Sequence, residues 1–359
     1  MSQILDILFL IRKIMSENIS KCPNCGGDYK YNPEKGSLTC DKCGSQEFIE
    51  TLPAPDKQFL TEESAPDQVE QNADQELKCP NCGAPIPADQ LIDTKCPFCG
   101  TSGITAVKSS MLYSPECIIP FTINNDRAVE IYKQWIRKKK FAPNDLKKKS
   151  SLEKIQGVYY PCWLFDYHTD SHYHGVGVNV TTYRDSDGNT RTVETRRRFS
   201  GDQSDDYINQ LEPANKMTNK NDIEQFTDFS HQPFVKYDDK YLLGYSTLNV
   251  DTPLLQGWGN ERSQKQNEIA NDIKRKLGFD RYDSFNCTTN FGNIKWTYSL
   301  LPMWICKFMY KKKLYNFLIN GKTGNIKGKT PKSFWKIFFL VLGIIGGVGL
   351  IAFLIYFFG

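Results

Sequence analysis

Apolar residues at helical spacing predict two helices in the middle of the chain. In the first, they recur between residues 128 and 136, after Asn124 or Asn125, either of which can cap a helix. In the second, the spacing runs through residues 260–277, and Gly278 then allows the left-handed turn that ends many helices. We therefore expect two amphipathic helices, each with one face against a core.

Two stretches between these helices have the character of β-strands. Residues 156–168 form an aromatic strand, and valines alternate with other residues through 176–180. Asp187 and Gly188 follow, a pair typical of tight hairpin turns. This β-meander pattern, with the two helices, predicts a β-rich α+β domain over residues 116–330.

A weak internal duplication is visible within this domain. Pro161 and Trp163 stand in an aromatic, alternating segment, and Pro302 and Trp304 stand in a second segment of the same texture. In each, a proline opens a strand, alternate aromatics line one face and a polar reversal follows. Either a β unit is repeated, or two aromatic strands acquired the same opening independently.

Both ends of the chain are apolar. Residues 1–20 form a short apolar or amphipathic segment, too short to span a bilayer and without the flanks of a signal peptide. Residues 337–358 carry no charge and no proline, and Phe334, Trp335 and Lys336 lie at their boundary as membrane-flanking residues. We therefore expect one C-terminal transmembrane helix in contact with membrane lipids. The protein would be a tail-anchored, single-pass membrane protein with its N-terminal body in the cytoplasm.

Eight of the twelve cysteines fall into four CxxC pairs, which together predict two zinc ribbons, at residues 21–46 and 77–107. Two such pairs can close a tetrahedron of thiolates around a metal. Because protein sulfur fills all four positions, the sites are structural rather than catalytic, with two Zn²⁺ per chain and iron as the less favoured metal. The ligands are Cys22, Cys25, Cys40 and Cys43 in the first ribbon, and Cys79, Cys82, Cys96 and Cys99 in the second.

The segment between the ribbons and the remaining candidate groups predict no chemistry of their own. Residues 47–76 are acidic and nearly free of aromatics, which favours a disordered linker. His168, His172 and His174 share one strand face and could form a further metal site, although a polar strand end explains them more simply. The chain has no recognisable nucleophile, nucleotide-binding or metalloprotease motif.

The motifs together resemble a family of bacterial membrane proteins that contain zinc ribbons of the transcription-factor-IIB type. The resembling pieces are the CPNCG and CPFCG knuckles, IIPFTI, GVYYPCWLFDYH, LLPMWICKFMY and NGKTGNIKGKTPKSFWK. Some relatives carry the label of the primosomal replication-restart helicase, whose ATP-binding motifs this sequence lacks. The resemblance implies an architecture and no assigned activity.

Two classes of function follow from these observations. The net charge of +4 is small, and few basic residues flank the ribbons, so nucleic acid is the less favoured partner. We expect a non-enzymatic adaptor or assembly factor that presents a cytosolic protein-binding domain to a partner not identified by the sequence. The alternative is a membrane-tethered nucleic-acid-binding protein linked to replication or transcription.

Overall fold

The structure of the protein is a computed structural model, and it describes most of the chain after residue 20. The described residues are 21–61, 64, 76–78, 85–87, 114–144, 155–216, 227–248, 250–310, 313–328 and 330–358. The predicted N-terminal segment, residues 1–20, lies outside them.

The first predicted ribbon is a small antiparallel sheet. Its strands β1 (Tyr29–Asn32), β2 (Ser37–Cys40) and β3 (Gln46–Phe48) lie in the order β1-β2-β3. Strand β4 (Gln58–Phe59) belongs to a larger sheet, whereas β5 (Glu76–Lys78) and β6 (Pro85–Pro87) pair with each other as an antiparallel hairpin.

The larger sheet and three helices make up the rest of the described chain. The elements in order are β7 (Cys117–Ile118), α1 (Asn125–Lys138), β8 (Ile155–Arg184), β9 (Thr190–Pro213), β10 (Val235–Lys236), β11 (Ser246–Thr247), α2 (Leu254–Leu277), β12 (Arg281–Tyr310), β13 (Lys313–Asn320), β14 (Ile326–Gly328) and α3 (Phe334–Phe358). Two 3₁₀ turns, Thr227–His231 and Asp239–Leu242, lie between β9 and β11.

Three very long strands dominate the sheet. β8 and β12 each have 30 residues, and β9 has 24. They pair antiparallel in the order β9-β8-β12. The predicted turn at Asp187-Gly188 is confirmed, because Gly188 has φ 80° and its amide donates to Asp185 O at 3.0 Å. The two strands expected at 156–168 and 176–180 are one continuous strand. With β9 and β12 it forms a three-stranded part of the sheet, called the arm and here defined as residues 169–206 and 281–292.

The two halves of the sheet have the geometry of an internal duplication. On the paired strands β8 and β12, Pro161 lies opposite Leu300 and Pro302 lies opposite Tyr159. The matching short strands, β11 and β7, run parallel to β8 and β12 at corresponding positions, and each leads into a helix. Equivalent hydrogen bonds complete the match: Trp163 Nε1 donates to Thr252 O at 3.0 Å, and Trp304 Nε1 to Ile123 O at 2.9 Å.

Both predicted amphipathic helices are present. The side chain of Asn124 caps α1 by accepting a hydrogen bond from the Arg127 amide at 2.7 Å, and the buried face is the expected one. α2 starts at Leu254, six residues earlier than predicted, directly after Pro253. It ends as predicted at Gly278, which has φ 67°. Proline has no amide hydrogen to leave unsatisfied at a helix start, which favours this earlier boundary.

The first half of the predicted disordered linker is ordered. Residues 58 and 59 pair with β12, and the Lys236 amide donates to Leu52 O at 2.9 Å. Lys57, largely buried, forms an ion pair with Asp166 and donates to Asn209 Oδ1 at 2.6 Å. The low aromatic content of residues 47–76 gave no indication of these contacts. Backbone pairing and one lysine hold this stretch, rather than a local apolar cluster.

The fold class differs from the α+β expectation. Of the described residues, 45% lie in strands and 27% in helices, so the protein is mostly β-sheet. The reason is the length of β8, β9 and β12, which continue through polar sequence that alternation alone did not identify as strand.

The predicted transmembrane helix is also wrong. α3 runs Phe334–Phe358. Among the described residues no helix is both long enough and apolar enough to cross a membrane. This finding contradicts the tail-anchored, single-pass location with a cytoplasmic body.

The three residues predicted to flank the membrane have separate environments. Phe334 and Trp335 are exposed, and their rings contact each other. Lys336 is half-buried, and its ammonium donates to Ala142 O at 2.8 Å and to Asn144 Oδ1 at 2.7 Å. The lysine therefore fixes the start of α3 against the segment that follows α1.

Candidate metal centre

Two similar backbone turns carry the four cysteines of the first ribbon. In the first turn the amide of Gly26 donates to Cys22 O at 2.8 Å, and in the second the amide of Gly44 donates to Cys40 O at 3.0 Å. Both glycines have positive φ, 67° and 72°, which a residue with a Cβ adopts at a cost. The turns bend each CxxC so that its two sulfurs lie on one side.

The four sulfurs converge on one point. Cys22 Sγ lies 3.6 Å from Cys43 Sγ, and Cys25 Sγ lies 3.5 Å from Cys40 Sγ. All four lie within 4.8 Å of one another. A tetrahedral site with metal–sulfur bonds of ~2.3 Å has sulfur–sulfur edges of roughly 3.8 Å. The cluster therefore fits a metal ion, and it is the one group of three or more potential ligands within the described part of the chain.

The thiols of Cys22, Cys25 and Cys43 differ in acidity, because each has different hydrogen-bond donors and different sulfur neighbours. Burial opposes ionisation of Cys22, but donors that include the amides of Asn24 and Cys25 outweigh it and lower its pKa to about 6. The hydroxyl and amide of Ser45 lower the pKa of Cys43. For Cys25 an amide donor favours the thiolate, yet the sulfurs around it raise its pKa to about 12. Cys25 thus resists ionising beside its sulfur neighbours unless a cation neutralises the cluster.

The donor set restricts what the centre can do. Four thiolates are soft ligands of the kind that zinc and iron take, and they would leave no coordination position for water or substrate. Binding a cation would release the protons of the thiols that remain protonated. The arrangement suits a structural role and offers no open site for catalysis.

The ribbon is docked on the body through one aromatic residue. Tyr31, 6% exposed, donates its hydroxyl proton to Phe121 O at 3.2 Å. Its ring meets Tyr241 edge-on at 5.3 Å, and its amide donates to Leu243 O at 2.9 Å. The buried residues of the ribbon, including Cys40, thereby join the same hydrophobic core as the long strands.

Polar contacts at both ends of the ribbon reinforce this docking. Glu34 accepts a hydrogen bond from Asn124 Nδ2 at 2.5 Å, next to the start of α1. Glu47 forms an ion pair with Lys240 at 2.6 Å, and that carboxylate raises the pKa of the lysine. The metal centre is consequently part of the folded body and not a separate module.

The second set of predicted ligands, Cys79, Cys82, Cys96 and Cys99, lies outside the described residues. The hairpin of β5 and β6 flanks the first of its two CxxC pairs, with residue 78 opposite residue 85.

The three histidines singled out by the sequence do not converge. His168 Nδ1 lies 2.6 Å from an oxygen of Asp206, and His172 Nδ1 lies 2.7 Å from one of Asp202. The rings of His172 and His174 are 5.9 Å apart. Each of the first two is directed at its own carboxylate on β9, as expected for a polar strand face.

The other described cysteines lie on strands of the large sheet. Cys117 and Cys162 are buried, and burial raises the pKa of both, that of Cys117 to about 11. Cys287 is half-buried on β12. The Cys306 side chain lies outside the described set.

Sequence reasoning missed the residues that dock the ribbon. Tyr29 and Tyr31 are two residues apart on a short strand next to a CxxC turn. This spacing places both aromatic side chains on one face of the strand, which indicates that this face is buried. Their partners Phe121, Tyr241 and Tyr245 are distant in sequence, so spacing alone could not pair them.

Comparison with known proteins gives one relative of similar length. The chain is 28% identical over 330 residues, 91% of its length, to the uncharacterized protein YdjG of Bacillus subtilis (strain 168), of which it covers 94%. No protein-family profile matches the chain, and no solved structure does. The similarity therefore runs along nearly the whole of both chains and brings no activity with it.

Proposed function

We propose that the chain is a non-enzymatic zinc-ribbon protein that presents its β-rich body to a protein partner, as an adaptor or assembly factor. The observation that carries this proposal is the closed four-sulfur cluster docked on the body. A site with four thiolate ligands stabilises structure and performs no chemistry on a substrate. The resemblance to zinc-ribbon proteins agrees with this role.

Zinc is the proposed metal, with one ion in each ribbon and two per chain. Zinc has no redox chemistry and accepts four thiolates in a tetrahedron without geometric preference of its own. Sulfur–sulfur distances of 3.5 and 3.6 Å suit that geometry. Iron takes the same donors and is the less favoured ion.

Nucleic acid is the less favoured partner for a specific reason. Of the four lysines near the first metal centre, at positions 21, 30, 35 and 42, two are already paired within the ribbon, Lys21 with Asp28 at 2.5 Å and Lys30 with Asp41 at 2.6 Å. Binding to phosphates would have to compete with these carboxylates. The arm, by contrast, offers long exposed strands, and exposed backbone edges are surfaces that proteins use to pair with other chains.

The test uses the full chain in two measurements. Elemental analysis should find two zinc ions per chain, and iron would contradict the assignment. Affinity capture from cells of the source organism should then recover a defined protein in near-stoichiometric amount, whether or not the lysate is treated with nuclease. Retention of DNA or RNA that weakens steeply with salt, without a protein partner, would favour the nucleic-acid alternative instead.

A further inference from the structure

The outer edge of β9 is the edge that faces away from β8. Among the described residues β9 pairs with β8 alone, and on its other side the 3₁₀ turn Thr227–His231 lies only beside its end, where Asn209 Nδ2 donates to Ser230 O at 3.1 Å. Soluble proteins usually protect long strand edges with charged side chains, bulges, prolines or covering loops, because exposed backbone groups recruit other strands. Among the described residues, the edge before Asn209 has no bulge, proline or covering loop, and its protection consists of charged side chains of both signs.

The two edges of the arm differ in the regularity of their pairing with β8. β12 is irregular against β8 at two places, between Tyr282 and Ser284 and between Gly292 and Lys295. β9 is in continuous register from Thr190 to Tyr207, and its irregularity comes only after that. A regular, straight edge is the one suited to pairing with another strand.

The charges along this edge are arranged in two blocks of opposite sign. Arginines occupy positions 196, 197 and 198, and aspartates occupy positions 202, 205 and 206. An antiparallel strand of the same sequence would place one block opposite the other. Residues that face each other in such a pair lie on the same side of the sheet, with Cβ atoms ~5 Å apart.

We propose that β9 pairs antiparallel with β9 of a second copy of this chain, about a two-fold axis at Gly201, so that two three-stranded arms form one six-stranded sheet. In this register Arg196 lies opposite Asp206 and Arg197 lies opposite Asp205. Because of the two-fold symmetry, each of these two pairs occurs twice in the dimer. The paired segment runs from Thr195 to Tyr207, ending where the regular part of β9 ends.

Neighbouring registers are less favourable. In antiparallel pairing around a two-fold axis normal to the sheet, the register can move only in steps that keep each residue on its own face. A shift of the second strand by two residues in one direction places Glu194 opposite Asp206. A shift by two residues in the other direction places Asp202 opposite Asp202 of the second copy. Like charges directly opposite are destabilising, so the charge pattern selects the register centred on Gly201.

Arg197 and Asp205 are the pair best suited to a test. Arg196 is held within the chain by Asp283 at 2.8 Å, and Asp206 by His168. Arg197 has no acidic partner among the described residues, and Asp205 accepts from Gln203 on its own strand. Both side chains project from the face of the sheet opposite to His168, so changing them leaves the His168–Asp206 contact in place.

The experiment is sedimentation velocity on the full chain and on charge-swap variants. The wild type should sediment at twice the 41.2 kDa of one chain. Arg197→Asp and Asp205→Arg should each shift the species to a monomer, and the double variant should restore the dimer. Thr192→Asp, on the same strand outside the paired segment, is the matched control and should remain dimeric.

Hydrogen exchange provides a readout that does not depend on substitution. Amides within 195–207 should gain protection as the wild-type concentration rises, whereas amides within 190–193 should not. The proposal is overturned by a monomeric wild type, by single variants that associate like the wild type, or by a double variant that stays monomeric. It does not depend on the metal.

Discussion

At the scale of single residues, the metal centre combines two buried sulfurs, Cys22 and Cys40, with two exposed ones, Cys25 and Cys43. Cys40 is the last residue of strand β2 and lies opposite Tyr29 in the ribbon sheet. It is therefore both a residue of the sheet and a member of the sulfur cluster. A Cβ at Gly27 would stand 3.0 Å from Cys40 Sγ, which leaves little room for a larger neighbour.

Cys40→Ser should remove the metal of the first ribbon. A serine hydroxyl is a poor replacement for a thiolate, and the three remaining sulfurs would hold zinc weakly. Elemental analysis of the full chain should therefore fall from two zinc ions to one. Cys287→Ser, at a half-buried cysteine outside the cluster, is the control and should leave both ions. An unchanged zinc content in Cys40→Ser would remove these four cysteines as the site.

Tyr31 should contribute to stability through both its ring and its hydroxyl. Tyr31→Phe loses the hydrogen bond to Phe121 O and should lower the free energy of unfolding by about 1 kcal/mol. Tyr31→Ala also loses the buried ring and should cost about 3–5 kcal/mol. Denaturant unfolding of both variants measures the difference. Equal, small effects would mean that the ribbon is not docked as described.

At the scale of elements, β8 and β9 carry a row of histidine–aspartate contacts. The side chain of Asp206 raises the pKa of His168, against a smaller opposing effect of burial, and Asp170 adds to the rise. Ser204 Oγ lies 3.0 Å from the second ring nitrogen of His168. The protonated imidazole is therefore favoured in the folded arm relative to the unfolded chain.

The stability that His168 contributes should depend on pH. Because its pKa is higher in the folded state, the contribution is fully present below the unfolded value of ~6.5 and is lost as the pH rises through the folded value. Thermal unfolding of the wild type and of His168→Gln from pH 5 upward should show a difference in melting temperature that is largest at the acid end and shrinks as the pH rises. A difference that grows with pH would contradict the assignment.

Some features of the helices and strands could be predicted from residues close to them in the sequence. Asn124, Gly278 and the Asp187-Gly188 turn were identified because each acts within a few residues of its own position. The continuous β8 was not, because its middle part is polar and is held by β9 and β12 on either side, a tertiary cause that periodicity does not record.

At the scale of the whole molecule, the ribbon, the first half of the linker and the body form one core. The sequence indicated four ligands correctly as a converging group, since CxxC spacing is itself a local constraint. It indicated a disordered linker directly after the first ribbon, because the contacts of Tyr31, Glu47 and Lys57 reach residues more than 80 positions away. We therefore expect metal binding and body stability to be coupled through those contacts.

The coupling of the metal centre to the body is tested most directly by hydrogen exchange on the full chain, before and after metal removal with a chelator. The account predicts faster exchange in the ribbon, residues 21–48, and also in residues 237–246, whose Tyr241 and Leu243 contact Tyr31. The tip of the arm, residues 181–193, should exchange at an unchanged rate and serves as the internal control. Faster exchange confined to residues 21–48 would contradict the account, because it would mean that the ribbon is an independent module.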